Sequence, residues 1–155
     1  MPLKGLANSS LVEAQGFRKV SDPYGGGEVV VIPAIAPDWA VLHVHECDPG
    51  GNAFIDGSRY DDVLLALAAG KVLVTCEKIV GNDRFVESPR RTDFPGFMVD
   101  AVVEVPGGAR PTSCARLYPY DREFLTAYLQ AAADDARYGE FLAARVYGAQ
   151  KGVSL

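Results

Sequence analysis

The stretch Pro37–Val80, PDWAVLHVHECDPGGNAFIDGSRYDDVLLALAAGKVLVTCEKIV, constrains the fold more than any other part of the chain. It reads as a strand, a tight turn, a short extended piece, a helix and a second strand. Successive side chains of a strand alternate between faces, so Val41, His43 and His45 share one face with Trp39, and Ala40, Leu42, Val44 and Glu46 share the other. Both faces are largely apolar, which predicts cover by helices on each side. Asp48-Pro49-Gly50-Gly51 has turn chemistry. Ser58 and Asp61 stand at capping-box spacing, Tyr60, Val63, Leu64 and Leu67 form a helical stripe, and Gly70 sits where a helix-ending glycine belongs. Lys71–Val80 is the next strand. Two strands joined by a helical crossover pair in parallel with right-handed connection. The predicted class is α/β, with an open, mostly parallel sheet flanked by helices.

The rest of the chain extends this unit. Residues 1–155 suit one domain, a common size that can bury a sizeable core. Residues 1–27 carry little periodicity and are broken by Gly16, Pro23 and Gly25-Gly26-Gly27, which predicts an irregular opening laid against a partner surface. Glu28–Ile35 is a β-branched strand that Pro33 stops early or confines to an edge. Residues 81–98 form a polar loop. Val99–Val105 is a further strand, and Pro106–Cys114 follows it as a glycine-led loop. Asp121 can cap a helix that buries Phe124, Leu125, Tyr128 and Leu129. A last helix spans about 136–147, and residues 148–155 read as a frayed tail.

Composition excludes several functional classes. The net charge of −5 argues against a broad nucleic-acid surface, which needs clustered Lys and Arg. No run approaches the ~18 apolar residues of a bilayer span. The opening Met-Pro-Leu-Lys-Gly-Leu lacks the apolar core of a secretory signal. Cys47, Cys76 and Cys114 are odd in number and widely spaced, which predicts reduced thiols in a cytoplasmic protein.

Three groups of residues can carry chemistry. His43 and His45 point the same way, but a metal site needs further ligands on that face, and Glu46 points away. The two imidazoles either pack on a half-apolar face or present His45 to a substrate at the strand end. Gly107 and Gly108, directly after a strand, either cradle an anionic group on backbone N–H or serve a plain turn. Thr112 and Ser113 would add hydroxyls there. Glu77 lies in an apolar strand, where desolvation raises a carboxyl pKa unless it is paired. It is either an acid, base or nucleophile, or one partner of an ion pair with Lys78 or Arg84. No phosphate-binding or dinucleotide-binding glycine motif is present.

Several segments together resemble the A (alpha) subunit of class I CoA-transferases, the glutaconate and 3-oxoacid type. They are Ile32-Pro33-Ala34-Ile35-x-Pro37-Asp38, Val41-Leu42-His43-Val44-His45, Asp48-x-x-Gly51-Asn52, Lys71–Val80, Val99–Glu104 leading into Pro106–Cys114, and Tyr120-Asp121. The resemblance implies the fold of that superfamily, and it covers about residues 1–147. It corresponds to the C-terminal half of such a subunit, so the N-terminal half and a B (beta) subunit are the expected partners. It also implies a CoA thioester as substrate, no permanently bound cofactor and a nucleophilic glutamate on the B (beta) subunit, so no nucleophile is carried over to this chain. The implied substrate-binding set is His45, Asn52, Glu77, Gly107, Gly108, Thr112 and Ser113, with no metal. Glu46-Cys47 stands where the family more often has a basic or small residue, which implies a different substrate preference. Relatives with this architecture include CoA-thioester hydrolases and ring-opening enzymes, and a non-catalytic assembly module is a further alternative.

Overall fold

The computed structural model describes residues 2–148. The strands are β1 (Pro2–Leu3), β2 (Arg18–Ser21), β3 (Glu28–Val31), β4 (Trp39–Cys47), β5 (Ala53–Phe54), β6 (Lys71–Ile79) and β7 (Ala101–Glu104). The α-helices are α1 (Leu11–Ala14), α2 (Asp62–Ala68), α3 (Asp83–Val86), α4 (Arg122–Ala131) and α5 (Asp135–Leu142). Among the described residues no helix is long and apolar enough to cross a membrane.

The main sheet has the order β5-β4-β6-β7. β4 and β6 run parallel from Trp39↔Lys71 to Cys47↔Ile79, as the strand–helix–strand pattern predicts. β7 adds in parallel beside β6, and β5 turns back antiparallel on β4. Ala40, Leu42, Val44, Val72, Val74 and Cys76 point to one face and form the core with Ile55, Ala66 and Phe94.

Among the described residues helical cover lies on one face of this sheet. On the opposite face Trp39 is 50% and Val41 62% exposed. Only the end of that face near His43, His45, Thr75 and Glu77 is covered, and it is covered by the loop after β7 rather than by a helix.

The α2 stripe also differs. The helix begins at Asp62, beyond Ser58, and the N-cap Asp61 makes no side-chain cap hydrogen bond. Tyr60 holds a left-handed φ of 41°, which keeps residues 58–61 out of the helix. Ala66 is the buried residue, while Leu64 and Leu67 face outward at 65% exposure each. Gly70 does not take the left-handed capping conformation; its N–H donates to Pro37 O at 2.9 Å, tying the start of β6 to the start of β4.

The opening is ordered rather than irregular. β1, β3 and β2 form an antiparallel sheet, with Arg18↔Val31 through Ser21↔Glu28 as one hairpin. Gly25, Gly26 and Gly27, at φ +82°, +120° and +93°, build the hairpin loop, and the Asp22 N–H closes it on Gly27 O at 2.9 Å. Three successive positive φ angles are open only to glycine without strain, so the run that breaks helix and strand periodicity is also what permits this turn. β3 ends at Val31, ahead of Pro33, as that proline requires.

α4 and α5 form a hairpin. Asp121 accepts from Phe124 N at 2.9 Å and Asp134 from Arg137 N at 3.0 Å, capping each helix. The predicted buried stripe is directed at the neighbouring helix instead of the core: Phe124 meets Phe141 edge-on at 5.2 Å, and Tyr128 meets Tyr138 at 6.1 Å. No residue of either helix is fully buried. Residues 143–147 continue as a π-helical turn. The predicted tail, apart from Gly148, lies outside the described residues.

Candidate functional site

The parallel register of β4 and β6 sets His43 beside Thr75, with Glu77 one step further along the same face. The Thr75 hydroxyl lies 3.1 Å from Leu42 O and 2.9 Å from His43 Nδ1. His43 Nε2 is hydrogen-bonded to Glu77 Oε1 at 2.8 Å.

The chain leaves β7 with Val105 N–H on Cys76 O at 2.7 Å, then folds back over this pair. Gly107, at φ +76°, donates its N–H to Glu77 Oε2 at 2.7 Å. The Tyr118 hydroxyl donates to Glu77 Oε1 and accepts from Ala109 N at 3.1 Å. The Arg110 guanidinium lies 4.6 Å from the centre of the Tyr118 ring. Gly108 rests on His43 so closely that a Cβ there would stand 2.6 Å from His43 Cε1 and 2.9 Å from Val105 O. Glu77 thus ties three separate segments together.

Electrostatics follow from this packing. Burial pushes the Glu77 carboxyl up, but donors from Gly107, Tyr118 and His43 outweigh it and hold the pKa below the ordinary glutamate value. Burial and then the hydrogen bond to Glu77 push the Tyr118 hydroxyl up. Burial and then the Glu77 charge raise the Cys114 thiol. A thiol shifted upward is a poor nucleophile, so Cys114 does not read as an attacking group.

Beside this lock formed around Glu77 lies a cavity of about 360 Å³, lined by His45, Glu46, Phe54, Asp56, Glu77, Lys78, Arg91 and Leu117. His45 Nδ1 accepts from Asp56 N at 3.0 Å, so Nε2 carries the proton and donates to Ala115 O at 2.8 Å. Arg91 stacks on Phe54 with its guanidinium carbon 3.9 Å from the ring centre, and it donates to Glu46 Oε2 at 3.0 Å. Arg84 donates to both Glu46 oxygens, at 3.1 and 3.2 Å. Arg84 is the main cause that lowers the Glu46 pKa, assisted by Arg91 against the opposing effect of burial.

A family model described as coenzyme A transferase matches residues 2–105. This chain belongs to the coenzyme A transferase family. It is 40% identical over 113 residues to the A (alpha) subunit of glutaconate CoA-transferase from Acidaminococcus fermentans, covering 72% of this chain and 35% of that one. It is 33% identical over 152 residues to the cholesterol ring-cleaving hydrolase IpdA subunit of Mycobacterium tuberculosis, covering 92% of this chain and 52% of that one. The crystal structure of the A. fermentans glutaconate coenzyme A-transferase superposes with a TM-score of 0.88 at 30% identity, covering 96% of this chain and 52% of that one. The chain therefore spans about a third to a half of the length of these relatives.

Within this CoA-transferase fold the seven residues singled out from the sequence separate into groups. Glu77, Gly107 and Gly108 meet at the lock, and the N–H of Gly107 is taken up by Glu77 rather than left open to a ligand. His45 lines the cavity. Thr112 and Ser113 are exposed on the loop, and Thr112 Oγ1 donates to Ala109 O. Asn52 stands apart. Its N–H and Nδ2 donate to Asp48 at 3.0 and 2.8 Å, and its Oδ1 accepts from Gly96 N at 3.0 Å. Lys78 and Arg84, the ion-pair partners considered for Glu77, are replaced by His43. Sequence reasoning missed Thr75, Tyr118 and the Arg84–Glu46–Arg91 bridge. Tyr118 is 41 residues from Glu77, and no local pattern marks such a pair.

Proposed function

We propose that this chain is part of the A (alpha) subunit of a CoA-transferase that moves CoA between an acyl-CoA and a carboxylic acid. The observation that carries this reading is the 360 Å³ cavity at the C-terminal ends of β4 and β6, the usual ligand position in open α/β sheets, in a chain of this family. The three carboxylates that line this cavity are each paired within the chain: Glu77 with Gly107 N–H, Tyr118 and His43, Glu46 with Arg84 and Arg91, and Asp56 with Arg116. The attacking carboxylate is accordingly assigned to a B (beta) subunit.

That carboxylate attacks the thioester carbonyl, forming an acyl anhydride and expelling CoA thiolate. The thiolate attacks the enzyme carbonyl, releasing the free acid and leaving an enzyme–CoA thioester. A second carboxylic acid reverses the sequence and departs as its CoA thioester. This chain walls the acyl pocket. Lys78 and Arg91 counter negative charge on the acyl group, His45 offers polar contact, and the lock on Glu77 holds Gly107 and Gly108 in place. Thr112 and Ser113 sit on the solvent side of that loop, within reach of a partner polypeptide. Residues 1–155 act as one domain, completed by an N-terminal half of the same polypeptide type and contacted by it along residues 1–27. The assembly works in the cytoplasm, and CoA thioester is its substrate rather than a resident cofactor.

The similarity to the IpdA subunit favours a second reading, hydrolysis or ring opening of a CoA thioester. One assay separates them. The chain is co-produced with the completing half and a B (beta) subunit, then given acyl-CoA with and without an acceptor carboxylate. Transfer predicts acyl exchange that depends on acceptor, without free thiol. Hydrolysis of the thioester predicts free CoA in both conditions, whereas carbon–carbon ring opening leaves the thioester intact and changes its mass. Turnover by this chain alone would overturn the assignment of the nucleophile to a partner.

A further inference from the structure

The two histidines of the H-x-H strand do not act as a pair, but one of them converges with residues far along the chain. A ring nitrogen of His43, a carboxylate oxygen of Glu77 and Cys114 Sγ all lie within 4.8 Å of one another. The hydrogen bonds around His43 show which nitrogen is available. Nδ1 lies 2.9 Å from Thr75 Oγ1, and Nε2 is the nitrogen turned to the Glu77 carboxylate, 2.8 Å away. In the metal-free site the hydrogen on Nε2 bridges these two atoms, and a cation that displaces it meets both of them and Cys114 Sγ.

We propose that His43 Nε2, Glu77 and Cys114 form a site for a divalent zinc-like cation, which takes the place of the hydrogen between His43 and Glu77. The donor set of imidazole, carboxylate and thiolate suits zinc, and three protein ligands leave a fourth position for water or a substrate oxygen. Tetrahedral zinc with bonds of about 2.0–2.3 Å separates its ligands by about 3.4 Å, so the trio needs to adjust by roughly an ångström. The outer contacts are those that orient metal ligands. His43 Nδ1–H is held by Thr75, and Glu77 by Gly107 N–H and the Tyr118 hydroxyl. His45 Nε2 is 3.5 Å from Cys114 Sγ but donates to Ala115 O, which keeps it outside the set. Binding balances as one cation in and one proton out, the latter from the Cys114 thiol, while the neutral His43 ring carries its own proton on Nδ1 toward Thr75 Oγ1. The site is independent of the CoA assignment.

The test uses the full chain, stripped with chelator and titrated with Co²⁺ and then Zn²⁺. One equivalent of Co²⁺ should bind with a thiolate-to-cobalt charge-transfer band, and Zn²⁺ should abolish the band. C114S should remove the band, and T75V should weaken binding about 10–100-fold through loss of ligand orientation. Zinc K-edge absorption fine structure of the unmutated chain should show one sulfur with nitrogen and oxygen neighbours, and this holds even if a variant fails to fold. Two sulfurs would point to Cys47 and Cys76, whose Sγ atoms are 2.7 Å apart, and would overturn the proposal. No sulfur, or no stoichiometric binding, would overturn it equally.

Discussion

Glu77, on β6, accepts a hydrogen bond from the backbone N–H of Gly107 at 2.7 Å, 30 residues later in the chain. The same carboxylate takes donors from Tyr118 and His43, so one side chain sets where the loop after β7 lies. Hydrogen bonds to a part-buried charged group contribute about 1.5–3 kcal/mol each when measured by deletion. E77Q turns one acceptor into a donor facing Gly107 N–H or Tyr118 OH. The expected loss is about 2–3 kcal/mol in urea unfolding. Y118F should cost about 1–2 kcal/mol. Because both act through one carboxylate, the double variant should lose less than the sum, by about 0.5–2 kcal/mol. Additive losses would show that the lock is not a unit.

Gly108 and Gly139 should respond to alanine in opposite directions. A Cβ at Gly108 would meet His43 Cε1 at 2.6 Å and backbone oxygen at 2.9 Å, so G108A must displace the loop or the imidazole. An overpacking cost of about 1–3 kcal/mol is expected. Gly139 lies within α5 with nothing within 4 Å of its Cβ position, so G139A should stabilise that helix by about 0.5–1 kcal/mol. Thermal melts of the two variants check both signs.

Asp48 should make the fold sensitive to acid. It is fully buried, and it accepts from Asn52 N, Asn52 Nδ2 and Asn82 Nδ2 at 3.0, 2.8 and 2.8 Å. Burial raises its pKa, but these donors outweigh it and the net shift is downward from 3.8. A folded-state pKa below the unfolded one gives stability that is complete above pH 3.8 and is lost as pH falls through the folded value. D48N sets an amide donor against donors. It should cost about 1–3 kcal/mol at neutral pH, with the gap to the native chain narrowing in acid. Denaturant unfolding measured from pH 7 down to about pH 3 checks this; a constant gap would contradict it.

D121A should fray α4 without unfolding the sheet. The Asp121 carboxylate caps Phe124 N at 2.9 Å, and α4 packs chiefly on α5. A loss of about 1 kcal/mol should register as faster amide exchange confined to residues 122–142, with core strand amides of β4 and β6 unchanged.

What the amino-acid order determined by itself was local. The alternation in Trp39–Cys47, the turn at Asp48–Gly51 and the apolar run Lys71–Ile79 sufficed to predict parallel β4 and β6, since each signal lies within a few residues of its consequence. Asp121 was likewise legible as a helix cap. Signals that only break patterns were ambiguous: Gly25-Gly26-Gly27 read as part of an irregular opening, although positive φ at all three is what closes the hairpin. Tertiary structure alone decided the site. It chose His43 over His45 as the partner of Glu77, turned Asn52 toward Asp48, and brought Tyr118 and Cys114 to β6. Those choices depend on strand register and on the path of a loop across the sheet, and contacts 30 to 70 residues apart leave no periodic trace in the chain that forms them.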